Sequence, residues 1–173
     1  MNTSALATAP APPVQLLIAG ARWLASQTRD PEKTWTAWNA GAAVPVPVGR
    51  SFAVVRVLDE RLGRATFHLL LRRQPQFLGP VIANHSLNAV EFLAPALPAV
   101  WQGPGTAFLD GSRESTRMVK CPPPNLRAAG RDWLYAPRAG PGREPVLTDA
   151  FQLAGVLNTA RAQLLRAGHC FAI

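Results

Sequence analysis

The sequence predicts an α+β domain with a mixed or mainly antiparallel sheet flanked by helices. Three observations predict it. Helical apolar stripes stand near both ends of the chain. A β-branched run, Ser51 to Leu58, leads straight into a third helical pattern. Between Val81 and Ala136, several short apolar runs are separated by Gly, Pro and Asn turns. A chain of 173 residues, 48% hydrophobic, is read as one domain over residues 14–173, able to bury roughly 70% of its unfolded surface. Residues 1–13 are rich in Ala, Thr and Pro, carry no charged side chain and are read as a flexible tail.

Val14, Leu17, Ala21 and Leu24 make one stripe of a helix from Val14 to Gln27, with Pro13 suited to its first turn and Asp30-Pro31 ending it. The stretch from Glu32 to Gly41 sets Trp35 and Trp38 three apart on one side of a short helix. They read as core anchors; the alternative is a base-stacking pair, which requires exposed rings beside positive charge. Val54, Val55 and Val57 suit a strand buried on both faces. Asp59 then stands at an N-cap position, followed by Leu62, Ala65, Thr66 and Leu69 at helical steps.

After Gly79-Pro80, short strands are expected at Val81–Ala83 and Ala89–Leu93, forming a hairpin around Asn84-His85-Ser86. Thr106–Leu109 and Arg117–Cys121 read as two further strands on either side of Asp110-Gly111-Ser112, closed by Pro122-Pro123-Pro124. Asp132–Ala136 is another. A last helix, Thr148–Ala167, is capped by Thr148 or Asp149 and faces the core with Leu153, Val156, Leu157, Ala160 and Leu164.

The net charge is +8, and Lys33 and Lys120 are the only lysines. G+C-rich coding favours Arg together with Ala, Pro and Gly and accounts for the Arg:Lys ratio. The excess of positive charge points instead to nucleic acid as a partner. Cys121 and Cys170 are too few for a disulfide framework and lack zinc-site spacing, which fits a reducing cytoplasm. The apolar run Val14 to Ala21 is too short to span a membrane, and no membrane partner is expected. His68, among Phe67 and Leu69, reads as structural, and neither it nor His169 has a recognisable nucleophile spacing.

Three segments carry a family pattern: Phe52 to Leu58 running into a helix, Asn88 to Pro95, and Met118-Val119-Lys120-Cys121-Pro122-Pro123 followed by Gly130-Arg131-Asp132-Trp133. From about Trp23 to Leu157 the chain resembles the primase/polymerase domain of the archaeo-eukaryotic primase superfamily, in particular the actinobacterial bifunctional DNA primase/polymerase type. The resemblance implies a pair of metal-binding carboxylates one residue apart at the end of the first strand, a phosphate-binding histidine and a third acidic residue. Here the paired positions fall on Arg56 and Leu58, the histidine position on Ala89, and the third on Asp110. A guanidinium does not ligate Mg²⁺ and leucine has no oxygen to offer.

The expectation is therefore a catalytically degenerate primase/polymerase-like domain with no metal site and no cofactor, Mg²⁺ entering only with residual activity. Asp110, Asp59 and His85 are what is left of a catalytic set; His85 lies four residues from the family position, and Asp59 is one residue late. Arg56, Arg113, Arg117, Lys120, Arg127 and Arg131 are the candidate nucleic-acid-binding side chains. Arg56 in a buried strand needs an acidic partner, with Asp110 or Glu91 the candidates. Two alternatives stand beside this. One is a protein-interaction or assembly module with an apolar patch around Trp35, Trp38 and Trp101. The other is a residual nucleotidyltransferase, which requires Asp59, Asp110 and Glu91 or His85 to converge.

Overall fold

The computed structural model describes residues 14–96, 103–140 and 142–168; the tail, Trp101, His169 and Cys170 lie outside them. Four helices, α1 (Val14–Ser26), α2 (Pro31–Asn39), α3 (Glu60–Arg73) and α4 (Ala150–Arg166), accompany seven strands. These are β1 (Val44–Pro47), β2 (Ala53–Val57), β3 (Val81–Asn84), β4 (Ala89–Ala94), β5 (Thr106–Leu109), β6 (Met118–Cys121) and β7 (Arg131–Tyr135). Five strands form one sheet in the order β5-β2-β4-β3-β7, and β1 and β6 form a separate ribbon; every pairing is antiparallel.

The period-2 geometry of the strands sorts the core into two layers. Val55, Val57, Val81, Val90 and Phe92 face α3 and α4, packing on Leu62, Leu70, Leu153 and Leu157. Val54, Ile82, Leu93 and Leu109 face the other way, onto Ala21 and Leu24 of α1, Trp38 of α2 and Val46 and Val119 of the ribbon. β2 is thus buried on both faces, as its valines predict. Asp59 and Asp149 cap α3 and α4 as expected, accepting from the Leu62 and Gln152 main-chain N–H groups, and Asp30, which ends the first helical segment, also caps α2 by accepting from the Lys33 main-chain N–H.

Both strands flanking Asp110-Gly111-Ser112 form, but in different sheets. Thr106–Leu109 and the strand after Asp110 do not pair with each other. β5 joins β2 at the edge of the main sheet, and β6 pairs with β1. β1, Val-Pro-Val-Pro, is a strand in spite of two prolines, each of which removes a ladder donor. The ribbon accommodates it because Pro45 and Pro47 stand opposite Lys120 and Met118, on its outer side. Val46 and Val119, paired in the next register, are buried.

The turns flanking the ribbon pack together at two glycines. Gly49 (φ +97°) and Gly111 (φ +77°) pack their turns against each other. A Cβ on Gly49 would meet the Asp110 carbonyl oxygen at 2.3 Å, and one on Gly111 would meet that of Val48 at 2.6 Å. Main chain therefore fills this contact and leaves no room for a side chain at either glycine.

Candidate nucleic-acid interface

Where the ribbon meets the main sheet, a cleft of about 360 Å³ opens, lined among others by Arg56, Asn84, Lys120 and Arg131. Its floor is built by strand register. Glu91 on β4 stands opposite Arg56 on β2 and Ile82 on β3, while Asn84 on β3 stands opposite Arg131 on β7. Alternation puts Arg56, Glu91, Asn84 and Arg131 on one face of the sheet.

Glu91 is fully buried (0% exposed). One carboxylate oxygen accepts from Arg56 Nε at 2.8 Å and from Asn84 Nδ2 at 3.0 Å, and the other from an Arg131 terminal nitrogen at 2.6 Å. Arg131 reaches across β3 to make that bond, and the same nitrogen also donates to the Lys120 carbonyl at 3.3 Å, tying the ribbon to the sheet. A buried carboxylate is costly unless it is paired and hydrogen-bonded, and here both conditions hold. Each guanidinium spends one nitrogen on Glu91. The remaining nitrogens of Arg56 and Arg131 have no partner among the described residues. Lys120, exposed on the outer side of β6, adds a third cation with no ion pair among the described residues.

A tight turn aims Arg131. Ala128 and Arg131 exchange main-chain hydrogen bonds at 2.9 and 3.0 Å, with Ala129 (φ +50°) and Gly130 (φ +68°) between them. Two consecutive positive φ values make a type I′ geometry, which suits glycine and asparagine and strains alanine.

The candidate catalytic residues do not meet. Asp59 caps α3, accepting from Leu62 N at 2.8 Å. Asp110 accepts from the hydroxyl and the main-chain N–H of Ser112, at 2.7 and 2.9 Å, and these bonds lower its pKa while holding the turn after β5. His85 sits on the opposite face of the sheet from Glu91, between Asp132 of β7 at Nε2 and Glu60 of α3 at Nδ1, the latter 3.1 Å away. Glu60 also holds Arg64 one helical turn on. Both His85 nitrogens are occupied, so this is a clamp joining α3, the β3–β4 turn and β7, not a free base. Among the described residues, no three His, Cys, Asp or Glu side chains could hold a metal ion.

Of the candidate nucleic-acid-binding residues, the structure gathers Arg56, Lys120 and Arg131 at the cleft. Arg113, Arg117 and Arg127 are exposed outside its lining. Trp38 is 2% exposed, donates its ring N–H to the Cys121 carbonyl and meets Trp35 edge-on at 5.7 Å, so the pair is a core anchor. Burial, with the nearby Glu91 charge, pushes the Cys121 thiol far above its ordinary range and leaves it unreactive.

Sequence reasoning missed the Glu60–His85–Asp132 clamp and the Arg131–Glu91 pair. The Glu60–Arg64 spacing was a visible signal for the first; the second depends on β3 lying between β4 and β7, which no local pattern shows. No helix among the described residues is long and apolar enough to cross a membrane. No family model, no curated protein and no solved structure matches the chain.

Proposed function

We propose that this domain binds nucleic acid through its phosphates at the Arg56–Lys120–Arg131 cleft, on a primase/polymerase-like scaffold that has exchanged metal chemistry for an ion network. One observation carries the reading: two guanidiniums, oriented by a single buried carboxylate, keep nitrogens without a partner among the described residues, beside a cleft that Lys120 also lines. Planar guanidinium forks suit phosphate oxygens, and contacts of this kind carry affinity with little base readout. The exchange is consistent with the motif comparison. Arg56 stands where the resemblance calls for the first metal-binding carboxylate, and its charge is met by Glu91 instead of a cation. In this reading the domain has no polymerase chemistry of its own.

Fluorescence anisotropy with labelled single-stranded and duplex DNA at two salt concentrations tests it. Binding is expected to weaken steeply as salt rises, with a log–log slope near −0.9 per phosphate contact on duplex and about −0.7 on single strands. Lys120→Ala should reduce that slope by about one contact. Arg166→Ala, at the end of α4 on the other side of the sheet, should leave it unchanged. Failure of the wild-type protein to bind either form at low salt overturns the proposal.

A further inference from the structure

We infer that the cleft prefers a nucleic-acid end bearing a terminal phosphomonoester to an internal phosphodiester, an inference that rests on the phosphate-binding role proposed above. The charge balance points to it. Arg56, Lys120 and Arg131 bring three positive charges to the lining and Glu91 offsets one, leaving two. A phosphomonoester carries a charge of about −1.5 to −2 at neutral pH, whereas each linkage of a continuous strand carries a single negative charge. A terminal monoester meets that excess with one group, whereas a continuous strand would have to bring two linkages into the cleft.

Shape agrees with charge. A volume of about 360 Å³ falls at the small end of ligand sites, which run from about 300 to about 1,000 Å³. Leu87 and Met118, 50% and 52% exposed, are apolar side chains left open on the same lining. They offer a surface for the terminal nucleoside without an aromatic platform on which successive bases would stack. The strained Ala129 turn holds Arg131 at this rim, and strain of that kind gathers where a ligand is clamped.

The test uses one oligonucleotide sequence in three forms, with a 5′-phosphate, with a 3′-phosphate and with hydroxyls at both ends, titrated into the full chain. At least one phosphorylated form should bind about tenfold or more tightly than the hydroxyl form, the scale expected for hydrogen bonds to a charged group. Lys120→Ala, an exposed substitution that leaves the Glu91 network intact, should shrink that ratio. Equal, salt-sensitive binding of all three forms would overturn end selection while leaving phosphate binding in place. No binding of any form would overturn both. A ratio unmoved by Lys120→Ala would place the terminal phosphate elsewhere and also defeat the inference.

Discussion

Arg56 on β2 and Glu91 on β4 stand directly opposite each other in register and close an ion pair of 2.8 Å, with the carboxylate fully buried and the guanidinium partly open to the cleft. Arg131 completes the arrangement from the far side of β3 at 2.6 Å. A carboxylate in this position is stable because two cations and an amide compensate its lost hydration. Those cations in turn are fixed in place by it.

Glu91→Gln is therefore expected to destabilise the fold strongly, by about 3–5 kcal/mol, because it leaves two guanidiniums without their counter-charge. Chemical denaturation measures the loss. A change below about 1 kcal/mol would show that the network contributes little to the native state.

Asp59→Ala should cost about 1 kcal/mol, the usual cost of removing an N-cap acceptor, here the one held by Leu62 N. DNA binding should be unaffected, and so should its response to Mg²⁺. A variant that instead abolished Mg²⁺-dependent binding would make Asp59 a metal ligand.

Ala129→Asn is expected to stabilise the protein by about 1 kcal/mol, since asparagine tolerates the left-handed backbone that alanine adopts here at φ +50°. Thermal unfolding reads this directly, and a drop in stability would contradict the strain at this turn.

Burial opposes the charge of Glu60, but hydrogen bonds from Arg64 and His85 outweigh it and hold its pKa below the ordinary 4.5. A carboxylate with a depressed folded pKa takes up its proton more readily when unfolded. Its contribution to stability is thus present above about pH 4.5 and lost as the pH falls through the folded value. Urea unfolding followed from about pH 6 down to about pH 3 should show a shallower acid loss for Glu60→Gln than for the wild type. Identical acid limbs would remove Glu60 from the account.

Most of the fold was legible because its signals are local. The valines of β2, the aspartate caps and the leucine stripe of α4 each act within a few residues. Arg56 could also be read as needing an acidic partner, since a charge in a buried strand requires one wherever the chain runs. The pairing of β6 with β1 was not legible. It joins two segments more than seventy residues apart, and the prolines of β1 hide its strand character. The clamp on His85 was hidden for a related reason: it joins residues from three elements that meet only when the sheet order is known.

The central claim, that the cleft is the phosphate-binding surface, is tested most directly by observing guanidinium Nε–Hε and main-chain NMR signals during titration with single-stranded DNA. The account predicts that the Nε–Hε signals of Arg56 and Arg131 and the amide of Lys120 move together and saturably. Shifts confined to Arg113, Arg117 or Arg166 while the cleft signals stay fixed would contradict it.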